Sequence, residues 1–186
     1  MSLTEWIAVI ATILSVIMLT KAKSSGWIFG IIGNVLYWNI FFDQTLYADM
    51  VIQLIFVIQG FYGLFEWNKT KDINKPFTVE KIDSMSLFLI VFSTLGISVF
   101  ISLAMFLFTD NKSPILDTVL SICSIIALYM MTKKIIQSWF IWMMIDIGYI
   151  YLFLSIGLWL SAFLFLFLFV LCISGYMQWK KKLIKT

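Results

Sequence analysis

The sequence predicts an all-α integral membrane protein of seven helices, built as two like-oriented three-helix repeats joined by one extra helix. Three observations carry this. Hydrophobic residues make up 62% of the chain and charged residues only 12%, with a mean hydropathy of +1.00, so most of the surface must face lipid. Seven apolar stretches approach the roughly 20 residues that a bilayer-spanning helix needs; they are residues 6–20, 26–42, 48–67, 84–108, 115–132, 138–154 and 158–179. Finally, the chain repeats itself at an offset of 112 positions without a gap: Trp27 with Trp139, Asn34 with Asp146, Tyr37 with Tyr149, Phe41 with Phe153, Gly63 with Gly175 and Trp67 with Trp179.

Backbone groups find no water in hydrocarbon, so each stretch closes its own hydrogen bonds as a helix. The period-two alternation of a membrane barrel is absent. The first stretch is short and is expected to begin nearer the N-terminus. It lacks the basic start of a cleavable signal, since Glu5 precedes it and no lysine comes before Lys21. The second and sixth stretches pair tryptophans with a buried polar residue. On the third, Asp49, Gln53, Gly60 and Gly63 share one face, and Gln59, Tyr62 and Glu66 another. The fifth carries a stripe of Asp117, Ser121 and Ser124, and the seventh runs into a lysine-rich tail. The expected division is a first repeat over 1–68, a connector over 69–83 containing Pro76, a linker helix over 84–109 and a second repeat over 110–186.

All thirteen basic residues are lysines. With seven crossings, every one except Lys112 falls on one side. The positive-inside rule makes that side cytoplasmic, with the N-terminus outside and the C-terminus inside. An odd number of helices per repeat plus one inverting helix gives both repeats the same orientation. This is the parallel arrangement of SWEET-type sugar-efflux transporters. The net charge of +3 then reflects topology rather than nucleic-acid binding.

Several chemistries are excluded. The chain has no histidine, which removes the commonest metal ligand and proton shuttle, and no phosphate-binding Gly-x-x-x-x-Gly-Lys-Ser/Thr run. No metal-ligand cluster or activated nucleophile is legible, so neither an enzyme nor a cofactor is expected. Cys123 and Cys172 lie in apolar stretches and are expected to act as small hydrophobes.

In the sixth stretch Trp139, Trp142, Asp146, Tyr149 and Phe153 recur at spacings of three and four, placing them on one helical face. Trp27, Gly30, Asn34, Tyr37 and Phe41 form the matching stripe in the second. Asp146 lies roughly 12 Å along its helix at 1.5 Å per residue, and Asp at a helix centre costs about 2.5–3.5 kcal/mol on insertion scales. Such a residue should face a cavity. A carboxylate one or two turns from tryptophan faces suits a flat cationic ligand, where cation–π attraction reaches about 2 kcal/mol when desolvated. Gln53 and Gln59 are deep enough to join the same site. A rival assignment makes Asp146 the ion or proton site of a coupled carrier. The tryptophans at segment ends, Trp6, Trp67, Trp159 and Trp179, are expected to anchor at the headgroups.

The stretch 27–42, followed by Leu46-Tyr47-Ala48-Asp49 and Tyr62-Gly63-Leu64-Phe65-Glu66-Trp67, resembles the PnuC family of bacterial vitamin transporters. So do Met130–Lys134, then Trp139-Phe140-Ile141-Trp142 with Asp146, and the run from Gly175 to Trp179. The resemblance covers nearly the whole chain outside the connector and linker helix. It implies passive uptake, across the bacterial inner membrane, of an unphosphorylated B-vitamin, most often nicotinamide riboside, with thiamine and riboflavin carried by relatives. It also implies a cytosolic kinase that traps the vitamin, and a site formed by Trp139, Trp142, Asp146, Tyr149, Asn34, Tyr37 and Gln53. The residues alone leave nicotinamide riboside and thiamine equally served, since both present a flat cationic ring.

Overall fold

The computed structural model describes residues 3–43, 47–69, 77–108, 115–155 and 157–183, with side chains throughout except at 47–49, 104–108 and 115. Pro76, Lys71, Lys75, Lys112 and Lys185 lie outside the described residues. So do the outer ends of the expected division, at residues 1, 109–110 and 186.

Seven helices run in order: α1 (Leu3–Thr20), α2 (Ser25–Asp43), α3 (Tyr47–Lys69), α4 (Ser84–Phe108), α5 (Ile115–Thr132), α6 (Ser138–Ser155) and α7 (Trp159–Lys180). Each lies within three residues of its expected stretch, and α1 does begin nearer the N-terminus. Six are long and apolar enough to cross a membrane by length and composition, and α5, 18 residues like α1 and α6, packs against α3, α4 and α6.

α1, α2 and α3 pack in sequence, as do α5, α6 and α7. The two bundles meet along α1–α7 and α3–α5, which are equivalent seams under the 112-residue offset. α4 packs on α5.

The repeat holds down to single hydrogen bonds. α1 and α5 end alike, with Ala22 at φ 57° and Lys134 at φ 58°. At one turn Lys23 N donates to Met18 O at 2.9 Å, and at the other Ile135 N donates to Met130 O at 3.0 Å. This six-to-one bond beyond a left-handed residue closes a helix C-terminus, and neither position uses glycine.

The aromatic packing is duplicated too. Trp27 meets Trp67 edge to face at 5.4 Å, and Trp139 meets Trp179 likewise at 5.4 Å. Gly63 lies under Trp27 and Gly175 under Trp139. A Cβ on either glycine would come within 2.6–2.7 Å of the indole, so only glycine lets the helices close.

Trp67 and Trp179 correct the expectation of headgroup anchors: both are buried. Each donates its indole N–H across to the other repeat, Trp67 to Thr132 O at 3.1 Å and Trp179 to Leu19 O at 3.0 Å. A partner for the N–H is what makes their burial affordable. Trp6 and Trp159, by contrast, are 50% and 72% exposed, as an interfacial belt requires.

The connector seals the same end. Val79 N donates to Lys182 O, Glu80 N to Lys134 O and Ile136 N to Glu80 O, while Gln137 exchanges two hydrogen bonds with the backbone of Ile82. Phe77 is thereby set between Trp67 and Trp179, at 4.8 and 5.6 Å. Lys134 and Lys182 lie over its ring. The buried core therefore gathers at the lysine-bearing end rather than midway along the helices.

Replacing Trp179 by Phe removes one cross-repeat hydrogen bond, while Leu19 O keeps its bond from Ala22 N. We expect a loss of about 0.5–1.5 kcal/mol, seen as a lower thermal-unfolding midpoint in detergent, and a loss of that order for Trp67→Phe.

Candidate functional site: a polar chamber between the repeats

Above this aromatic floor, a cavity of about 530 Å³ runs between the two bundles. It extends from Leu19, Trp27, Met131 and Trp139 at the lysine-bearing end to Phe41, Asp117 and Phe153 near the opposite helix ends. The stripe residues of α2 and α6 all face it, because the three- and four-residue spacing keeps them on the inner side of their helices. Of the sequence candidates, Trp139, Trp142, Asp146, Tyr149, Asn34, Tyr37 and Gln53 line the chamber.

Gln59 does not. It sits on another face of α3, where its Nε2 donates to Ile125 O at 3.1 Å and ties α3 to α5. The side chain of Asp49 is outside the described ones, and Gly63 packs on Trp27 as given above.

The polar groups of the chamber are unevenly satisfied. Asp146 is 2% exposed and accepts a hydrogen bond from Cys172 Sγ at 3.4 Å on Oδ2. The indole N–H groups of Trp27, Trp139 and Trp142 and the Oε1 of Gln53 are buried and find no hydrogen-bond partner among the described residues. Buried donors and acceptors of this kind cost about 1–3 kcal/mol each unless paired. All four belong to residues that line the cavity, whereas Gln59 Oε1 and Ser138 Oγ, likewise without a partner, lie outside its lining; a cavity with such groups in its wall suits a polar ligand. Tyr149 is held in place, its hydroxyl 3.3 Å from Ser121 Oγ and its ring against Phe153 and Phe165. Tyr37 stacks on Phe41 in the matching place.

Among the described residues the lining includes carboxylates (Asp146 and Asp117) but no lysine. It combines flat aromatic faces, amide and hydroxyl groups and net negative character, which suits a planar cation bearing hydroxyls. Among the described residues no cluster could hold a metal ion.

Sequence reasoning missed Thr12, Ser15 and Cys172 as lining residues. Cys172 had a legible signal: on α7, Ser161, Leu164, Phe165, Leu168 and Cys172 recur at helical spacing and all line the chamber, with Ser161 and Cys172 at its two ends. Thr12 and Ser15 had the same signal, recurring with Val16 and Leu19 at helical spacing on α1, and the Ser15 hydroxyl also donates to Gly26 O at 2.8 Å.

A polytopic helical repeat protein with a chamber between its halves has the architecture of a membrane transporter. The chain belongs to the nicotinamide mononucleotide transporter family, whose model matches residues 2–181. It is 26% identical over 171 residues to the nicotinamide riboside transporter PnuC of Escherichia coli strain K12, covering 77% of this chain and 72% of that protein. It is 28% identical over 153 residues to the nicotinamide riboside transporter PnuC of Neisseria mucosa, covering 77% of this chain and 57% of that one. The crystal structure of a vitamin B3 transporter, PnuC, superposes with a TM-score of 0.78 at 21% identity, over 96% of this chain and 80% of that chain, and so shares the fold. These relatives are transporters, not enzymes.

Adding a methyl group at Gly175 pushes on Trp139 at 2.7 Å. Gly175→Ala is expected to shift the tryptophan fluorescence and near-ultraviolet dichroism and to cost about 1–3 kcal/mol of stability. Gly96→Ala, where a Cβ meets nothing within 4 Å, is expected to leave the spectra unchanged.

Proposed function

We propose that this protein takes up an unphosphorylated B-vitamin, nicotinamide riboside first among candidates, by facilitated diffusion with alternating access. The observation that carries the proposal is the set of indole and amide groups without a partner among the described residues, on side chains that share with Asp146 a chamber whose described lining has no lysine. The pyridinium ring stacks on Trp139 or Trp142 beside the carboxylate, and the ribose hydroxyls pair with Asn34 and Gln53. A phosphate monoester would be buried against Asp146 with no cation among the described lining residues to meet it, which favours the riboside over the mononucleotide. The names of the PnuC relatives support the same choice.

The moving units in this reading are residues 1–68 and 110–186, with 84–109 as the linker. The lysine-bearing end faces the cytoplasm, the N-terminus lies outside, and the membrane is the bacterial inner membrane. A cytosolic kinase would trap the vitamin by phosphorylation. Assembly as a homo-oligomer is compatible with the lipid-facing surface.

Two alternatives remain for the same chamber. Thiamine also presents a flat cation. A buried carboxylate without a cationic neighbour in the lining also suits an ion-coupled carrier. Uptake into proteoliposomes separates the last: facilitated diffusion predicts equal rates with and without a proton or sodium gradient, whereas collapse of uptake without one supports coupling.

Trp142→Ala removes one stacking face. Taking about 2 kcal/mol for a desolvated cation–π contact, calorimetry should show nicotinamide riboside binding weakened about 30-fold with the thermal midpoint nearly unchanged. Unchanged affinity rejects the site.

A further inference from the structure

Asp146 and Asn34 occupy equivalent positions in the two repeats, yet they are held differently. The residue equivalent to Cys172 in the first repeat is Gly60, packed against Ile31, so the Asn34 side has no side chain at that place. On the Asp146 side a thiol is supplied, buried, lining the chamber and 3.4 Å from Oδ2. Beside this pair, Trp139 is fully buried, lines the same chamber and keeps its Nε1 unpartnered among the described residues. The pair therefore sits where a ligand is received and not merely in a packed interface.

We propose that Cys172 is a positioning residue that determines charge specificity: its weak S–H bond fixes the Asp146 carboxylate while leaving that charge available to a cationic ligand ring. The proposal rests on the substrate reading above and deepens it. A thiol is a weak donor. A hydroxyl in the same place would form a short, charge-assisted bond and draw on the carboxylate's negative charge. An apolar side chain would leave the charge intact but the carboxylate free to turn. Of the three, the thiol alone supplies orientation with little neutralisation. The consequence is discrimination between a positively charged ring and a neutral one of the same shape, a distinction that the amide of Asn34 does not make.

The test titrates the full chain in detergent with two probes, nicotinamide riboside and its neutral 1,4-dihydro form, and reads the ratio of their affinities. The unaltered chain is expected to prefer the cation by about tenfold or more, the scale of one charged contact. Asp146→Asn should bring the ratio close to one. Cys172→Ser should lower it about fivefold by partial neutralisation. Cys172→Ala should weaken the cation about threefold while leaving the ratio above that of the serine variant. A purely packing role for Cys172 would lower both probes together in both variants; that result, or an unchanged ratio in Cys172→Ser, overturns the proposal.

A second measurement needs no ligand. In a Cys123→Ser background, a small neutral alkylating reagent should modify Cys172 about fivefold faster in Asp146→Asn, because a carboxylate beside a thiol slows its reaction. Equal rates overturn the pairing even if Cys172→Ser fails to fold. Failure of nicotinamide riboside to bind the unaltered chain, with the alkylation difference present, overturns the substrate reading and leaves the pair standing.

Discussion

The fold depends on closing two equivalent bundles against each other at one end, and indole hydrogen bonds do it. Trp67 and Trp179 each reach from the third helix of one repeat to the last turn of the other repeat's first helix. Because the donors cross over, neither repeat can move away at this end without exposing two indoles and two carbonyls together. Gly63 and Gly175 are the condition for this, since a side chain there would hold Trp27 and Trp139 off the pairs they complete. Phe77 then fills the gap between Trp67 and Trp179, held by backbone bonds from the connector.

Beyond the closed end the two bundles leave a gap between them, and the polar stripes of α2 and α6 face into it. Burial of Asp146 is tolerable only because the gap exists; against acyl chains the same carboxylate would cost several kcal/mol. The two seams are not equally polar. Along α3–α5, Gln59 bonds Ile125 O, and Lys133 pairs with Glu66 and bonds the hydroxyl of Tyr62. Along α1–α7 the side-chain bonds across the seam among the described residues are those of Trp179 and of Lys182, the latter to Lys21 O at 3.4 Å. The pseudo-twofold thus carries different chemistry on its two sides, as do Asn34 and Asp146 across the chamber.

Much of this was legible beforehand. Apolar runs located all seven helices, and the 112-residue offset paired Trp27 with Trp139 and Asn34 with Asp146 before any contact was known. Helical spacing placed seven of the eight candidate residues on the chamber wall. Gln59 escaped because spacing gives a residue's neighbours on its own helix, not which face meets which partner. Trp67 and Trp179 were assigned to the headgroups because a tryptophan at a segment end looks the same whether it meets lipid or another helix; only the position of a distant carbonyl separates the cases. Cys172 looked like filler, since a thiol in an apolar run gains a role only from what lies across from it.

The central claim is that the aromatic floor of Trp67, Trp179 and Phe77 closes the chamber at the lysine-bearing end. The most direct measurement places a single cysteine on the chamber wall, Ser121→Cys in a Cys123→Ser, Cys172→Ser background, and applies a membrane-impermeant thiol reagent from each side of oriented vesicles. The account predicts slower labelling from the lysine-bearing side, where the aromatic floor must part first, than from the other. Equal or faster labelling from the lysine-bearing side would contradict it.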